Sequence, residues 1–403
     1  MNSTTIEIRT CRPEEFTQAF TPIWHYFGRG ASEEDAERLG RILPVDRTHV
    51  AVDDGVVVGG AGAYQFDLTV PGGTVPTAGI VAVGVLPTHR RRGILRDLMR
   101  RQLDEVHERG EPLALLYASE GAIYRRYGYG PASLSGDITL RRAHAKFYDL
   151  PEPEGQARLV SYEEALDLFP EVYDRVQAET PGMLTRTRDW WEVRRLLTPP
   201  RMQGERFRVV VEIDGRPEAY ALYRIDAEME HFTSKSVLQV DEAIGATPAG
   251  TREIWQFLFN VDWIDTIKGP FLPIDHPLFL LLAEPRRMVY TAMEGLWARL
   301  VDVGAALSAR GYAADGRLVL DVRDEFCPWN EGRWALEDGG ASSTEDEPDL
   351  RLGVDALGSV YLGGFTFADL ARAGRVEELR EGALERADAM FHSDRHPWCP
   401  ELF

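Results

Sequence analysis

Residues 80–95 read IVAVGVLPTHRRRGIL, an apolar run, a cluster of cations and the start of a second apolar period. A β-branched run is stopped by Pro87, and Arg90, Arg91, Arg92 and Gly93 follow it. From Ile94 onward, Leu95, Leu98, Met99, Leu103 and Val106 recur at helical spacing until Gly110. The pattern predicts a buried strand, a cationic turn and an amphipathic helix. Before it, residues 48–70 hold two alternating apolar runs around Asp54-Gly55, a hairpin signal. After it, PLALLYAS (112–119) reads as another strand, and EGAIYRRYGYGPAS (120–133) as a short helix and a Gly/Tyr/Pro turn.

The arginines oppose the rest of the chain, which carries 45 Lys+Arg against 65 Asp+Glu, a formal net charge of −20 over 403 residues. That field repels nucleic acid and anionic membrane surfaces and draws in cations. The length favours two or three domains. No apolar run approaches the roughly 20 residues that span a bilayer, and the N-terminus lacks the pattern of a secretory signal. Cys11, Cys327 and Cys399 are too few and too scattered for a disulfide framework or a metal cluster, so a reducing cytoplasm is expected.

The hairpin recurs. FRVVVEIDGRPEAYALYRI (207–225) echoes HVAVDDGVVVGGAGAYQF (49–66), and SVLQVDEAIGATPAGTREIWQFLFNVD (236–262) repeats strand, turn, helix. At the second turn, Gly245–Gly250 stands where the first copy has its arginines. The chain therefore reads as an internal duplication in which only the first copy keeps the cationic turn. The last third differs: an amphipathic segment at 296–312, a strand near 316–324, and an acidic stretch at 338–350, DGGASSTEDEPDL, expected to be a mobile surface loop.

A strand running into a turn that starts a helix leaves backbone N–H groups free and adds the positive end of the helix dipole. Arginines raise that potential, and Gly93 removes a Cβ where a phosphate must approach the backbone. A pyrophosphate ligand is implied. Neither G-x-G-x-x-G nor a Walker pattern is present. H-E-x-x-H and G-x-S-x-G are also missing, so no metal site and no serine hydrolase is expected.

Hairpin, strand, Arg-x-x-Gly turn, helix, strand is the order of GCN5-related (GNAT) N-acetyltransferases. RRRGIL (90–95) resembles their R-x-x-G-x-G/A motif, departing from it at Leu95. VAVGVLPTHRRRGILR, ASEGAIYRRYGYGPA, GLWARL with VGAALSARGY, and the terminal Phe403 together resemble the Eis (enhanced intracellular survival) family of aminoglycoside N-acetyltransferases. The resemblance implies an α/β (α+β) chain of three regions. These are a GNAT acetyltransferase domain (1–147), a degenerate GNAT-like domain (148–288), and a sterol-carrier-protein-like domain (289–403) ending in an active-site carboxylate.

It further implies acetyl-coenzyme A as co-substrate, no metal, and a cytoplasmic homohexamer. The pantetheine arm would pair with the backbone of Val83, Gly84 and Val85. Arg91, Arg92, Gly93, Ile94, Leu95 and Arg96 would wrap the pyrophosphate, with Ser119 and Glu120 lining the pocket. From spacing alone, Tyr124 is a candidate general acid or one of three tyrosines packing a turn; the family's tyrosine matches it. The general base would be the terminal carboxylate of Phe403, at the end of the apolar, proline-stiffened PWCPELF. Glu294 and Glu401 match acidic positions near the family's substrate site, and residues 31–43 its variable lining. Competing acceptors are protein lysine and polyamines; a lipid or sterol carrier is the non-enzymatic alternative.

Overall fold

Asp54 and Gly55 both take positive φ, 49° and 79°, as do Asp214 and Gly215, at 51° and 73°. Each pair closes a two-residue hairpin whose turn twist matches the strands it joins. The two hairpins belong to two sheets of the same design. The structure, a computed structural model, describes residues 6–149, 151–196 and 204–403. It divides into two compact units. One comprises the chain up to Ser133 with Leu296–Asp394 and Leu402–Phe403; the other is Leu134–Gly295 with Arg395–Glu401.

The first unit opens with β1 (Glu7–Thr10), α1 (Phe16–Ala19), α2 (Thr21–Tyr26) and α3 (Glu33–Gly40). It continues with β2 (Thr48–Asp53), β3 (Val56–Val70), β4 (Gly73–Val85), α4 (Ile94–Glu108), β5 (Leu113–Leu116), α5 (Gly121–Tyr124) and β6 (Gly130–Pro131). Strands β1 to β4 are antiparallel neighbours, whereas β4 and β5, joined through α4, run parallel. Helix α4 lays Met99, Leu103 and Val106 onto Ala78 and Ile80 of β4 and Ala114 and Leu116 of β5. Each large apolar side chain so buried contributes about 1.5–3 kcal/mol.

The second unit repeats this plan. It contains β7 (Leu134–Arg141), β8 (Gln156–Leu159), α6 (Tyr162–Gln177), α7 (Arg188–Trp190), β9 (Phe207–Ile213) and β10 (Arg216–Asp226). After the small hairpin β11 (Met229–Glu230) and β12 (Thr233–Ser234) come β13 (Val237–Gly245), α8 (Pro248–Asn260), β14 (Thr266–Pro273), α9 (Leu278–Leu281) and β15 (Val289–Glu294). Strands β9, β10 and β13 are antiparallel, and β13 pairs in parallel with β14 through α8. Ile254, Trp255 and Leu258 of α8 fill the core. In both units the parallel strands share the same short register before separating: Thr77–Gly79 with Leu113–Leu115, and Val237–Gln239 with Thr266–Lys268.

The chain then re-enters the first unit. β16 (Trp297–Leu300) is inserted between β5 and β6, followed by α10 (Val303–Ser308), β17 (Leu318–Arg323), β18 (Gly332–Glu337) and β19 (Gly340–Ser343). β20 (Leu350–Gly353), α11 (Val354–Val360), α12 (Phe367–Arg372), β21 (Val376–Glu378) and α13 (Ala383–Phe391) complete a five-stranded sheet and its helices. The acidic stretch at 338–350 is not a free loop. Asp338 and Gly339, with φ of 53° and 76°, turn the β18–β19 hairpin. Asp349, buried, accepts from the Val319 N–H at 2.8 Å and pairs with Arg380 and Arg386. Charge had suggested solvent, but a buried carboxylate held by two guanidinium groups and an N–H is a structural pin.

Candidate active site

The groove of the first unit originates in β4. Its parallel pairing with β5 stops at Gly79–Leu115. Ala82 then adopts a left-handed φ of 56°, at the point where the register with β3 slips between Gly62–Val81 and Gly60–Gly84. The bulge bends the strand. It leaves the β4 edge at Val83–Val85 facing a cavity of about 510 Å³. Gly84 also lets α2 come close: a Cβ there would lie 2.9 Å from the Ile23 nitrogen. Ile23, Tyr26 and Phe27 thereby join the lining.

The cationic turn closes one end. Arg91 sits at φ 61° and Gly93 at φ 86°. Gly93 caps α4 without any side-chain hydrogen bond, so the first N–H groups of a 15-residue helix are left for a ligand. The corresponding turn of the second unit is spent internally. Thr247 caps α8 by accepting from the Gly250 N–H at 3.1 Å, and Pro248 occupies the first helical position with no N–H to offer.

Of the residues expected to bind cofactor, Val83, Gly84, Val85, Arg91, Gly93, Ile94, Leu95, Arg96, Ser119 and Glu120 all line this cavity. Arg92 does not. Its guanidinium turns to Asp53 at 3.0 Å, and His89 binds the same carboxylate oxygen at 3.3 Å. Arg90, counted among the cations of the turn, lines the cavity as well; sequence reasoning missed Ile123, Arg126 and Tyr127, together with the three residues around α2. Arg126 was visible as a cation beside Tyr124; the α2 residues reach the groove only through tertiary packing.

Tyr124 stands on α5 with 7% of its surface exposed and lines the same cavity. Burial pushes its phenol above the usual value; a hydrogen bond with Ser119 opposes this, and Tyr127, Glu120 and Tyr26 add to it. At neutral pH the phenol therefore carries a proton. Phe403, half-buried, sets its ring among Phe66, Tyr117 and Tyr64 at centroid separations of 5.3, 5.7 and 6.2 Å. A Cβ on Gly79 would come within 3.3 Å of that ring, so Phe403 packs where β4 and β5 begin to separate.

The two acidic candidates for substrate lie in the second unit. Glu294 ends β15 and is exposed. Glu401 is 1% exposed; Arg186 holds one carboxylate oxygen, and the Trp190 indole N–H donates to the other at 2.9 Å. Arg186 is shared with Glu242, whose carboxyl burial pushes up but Arg186 and Arg195 hold down, at about 2. Glu401 is thus a member of a buried ion network. Among the described residues no group of His, Cys, Asp and Glu is arranged to hold a metal ion. No described helix is long and apolar enough to cross a membrane.

Sequence comparison agrees with this architecture. Family profiles described as an acetyltransferase (GNAT) domain match residues 7–132 and 182–300, and one described as a sterol carrier protein domain matches 303–400. An uncharacterized N-acetyltransferase of Streptomyces avermitilis is 38% identical over 413 residues, covering 99% of this chain and all of its own. N-acetyltransferase Eis of Mycobacterium tuberculosis is 36% identical over 382 residues, 90% of each chain. The crystal structure of Eis1 from Mycobacterium abscessus superposes with a TM-score of 0.87 at 35% identity, covering 98% of this chain and 100% of that one. Two GNAT folds, one with its helix terminus open and one with it capped, and a sterol-carrier-like domain after them, place the chain in the Eis family of N-acetyltransferases.

Proposed function

We propose that this enzyme transfers the acetyl group of acetyl-coenzyme A to amines of aminoglycosides, with Tyr124 as general acid and the Phe403 carboxylate as general base. One observation carries the coenzyme assignment: an uncapped helix terminus and guanidinium groups line a cavity that also contains Tyr124. These residues fit a pyrophosphate followed by an extended arm. Backbone N–H groups of Gly93–Arg96 with Arg91 would bind the two phosphates, and the free edge of β4 at Val83–Val85 would bind the arm as an added strand.

When bound, acetyl-coenzyme A supplies a thioester carbonyl open to attack by an amine. The Phe403 carboxylate would take one proton from the acceptor ammonium to free the attacking amine; Tyr124 Oη would protonate the departing sulfur and would be reprotonated by the second proton that the nitrogen loses on becoming an amide. The Tyr124 phenol is fitted to that role because burial keeps it protonated. A net charge of −20 supports a polycationic acceptor, and a cytoplasmic homo-oligomer belongs to the same reading. Residues 1–147, 148–288 and 289–403 are proposed as its three functional regions.

The test is mass spectrometry of acceptors incubated with enzyme and acetyl-coenzyme A: a panel of aminoglycosides, spermidine, and a lysine peptide. Acetylated aminoglycoside as the dominant product supports the proposal. Acetylation of spermidine or peptide alone keeps the enzyme class and replaces the substrate.

A further inference from the structure

Two arginines on the same segment that do not line the groove, Arg92 and Arg100, face carboxylates. Arg92 is bound to Asp53, and Arg100 approaches Asp104 at 4.0 Å. Three guanidinium groups of the lining have no carboxylate partner among the described residues: Arg90, Arg91 and Arg126. In a chain with 20 more acidic than basic side chains, that is an unexpected economy of counter-charge. Arg90 and Arg91 belong to the turn before α4 and account for a pyrophosphate. Arg126 does not belong to that turn.

It comes from the single helical turn Arg125–Tyr127 that follows α5, on a different wall of the cavity. Its neighbour Arg125 is engaged elsewhere, 5.5 Å from the Trp297 ring. Arg126, Arg96 and Tyr127 line the same cavity. Burial raises Tyr127, and the charges of Arg126 and Arg96 both pull it back down. Two elements distant in sequence thus bring guanidinium groups to a common place in the lining. Arg96 is only loosely tied, its side chain 72% exposed and 3.3 Å from an Asp97 that is itself 50% exposed.

Coenzyme A has a third phosphate, the monoester on its ribose 3′ oxygen, which carries about −1.5 to −2 charges at neutral pH, as phosphomonoesters do. We infer that Arg126, assisted by Arg96, is the specificity determinant for that 3′-phosphate. This rests on the groove being the coenzyme A site. Charge-assisted hydrogen bonds of this kind contribute about 1.5–3 kcal/mol, and exposure to salt places the pair at the low end, about tenfold in affinity.

Calorimetry on the full chain tests this with coenzyme A and 3′-dephospho-coenzyme A as titrants. The native protein should bind coenzyme A about tenfold more tightly. Arg126→Gln should bring the two Kd values within about twofold of each other, and Arg126→Lys should restore part of the preference. An equal loss for both titrants in Arg126→Gln would overturn the assignment, as would a native protein that binds them equally; either leaves the groove as the coenzyme site. A native protein that binds neither titrant would overturn both. Retention of the native thermal midpoint in the variants shows that the comparison is between folded proteins.

Discussion

Replacing Phe403 by alanine separates the position of the terminal carboxylate from its chemistry, because the carboxylate itself is kept. The ring makes three aromatic contacts, with Phe66, Tyr117 and Tyr64. Each such pair contributes about 0.5–1.5 kcal/mol beyond area burial, and a half-buried phenylalanine adds about 1 kcal/mol of apolar burial. Truncation therefore costs the docked chain end about 2.5 kcal/mol or more. At 1.36 kcal/mol per decade, the ratio of docked to undocked ends falls about 100-fold. For a native end in which docked and undocked forms are comparably populated, steady-state kinetics should show kcat reduced by about that factor. The KM for acetyl-coenzyme A should change little, since Phe403 is not part of the cofactor lining. Phe403→Tyr, which preserves the ring, should keep most of the activity. Phe403→Ala within twofold of native in kcat would refute the idea that this aromatic seat positions a catalytic carboxylate.

Tyr124→Phe removes the proton proposed for the departing thiolate and should lower kcat by about 100-fold or more. Because burial holds the native phenol above its ordinary value near 10, kcat of the native enzyme should show no descending limb from this residue below about pH 10. A limb near pH 8 that vanishes in Tyr124→Phe would contradict the assignment. In the first unit, Arg47 and Glu111 form a buried two-pronged pair at 2.7 and 2.6 Å. Glu111→Ala strands the guanidinium and should cost about 3–5 kcal/mol in urea unfolding, whereas Arg47→Met with Glu111→Leu should recover most of it.

What the sequence revealed was local. Asp54-Gly55 and Asp214-Gly215 declare their hairpins because few other residue pairs accept two positive φ values. The same signal at Asp338-Gly339 lies inside an acidic run whose composition reads as a loop, although it turns a hairpin. Residues 296–312 read as one amphipathic segment, yet Trp297–Leu300 is a sheet strand and Asp302 caps a new helix by accepting from the Ala305 N–H at 2.8 Å. Strand and short helix both satisfy a pattern of alternating apolar residues over so few positions.

Within the site, periodicity located the turn but not the directions of its side chains. Three consecutive arginines cannot all face one groove, and it is Arg92 that turns away to Asp53. Tyr26 and Phe27 reach the lining only because Gly84 admits α2 against β4, a contact between residues nearly 60 positions apart that no local pattern encodes. The seat of Phe403 is likewise assembled from β3 and the end of β5. Sequence supplied the apolar tail, and tertiary structure supplied its receptor.

The open terminus of α4 with its arginines, and not the capped terminus of α8, is proposed to hold the coenzyme. Titrating the native chain with coenzyme A in a calorimeter tests it directly, with Arg91→Ala in parallel. One coenzyme A per chain is expected, with an affinity at least tenfold weaker in Arg91→Ala, the loss of one charge-assisted phosphate contact. Two equivalents per chain, or an affinity indifferent to Arg91, would contradict it.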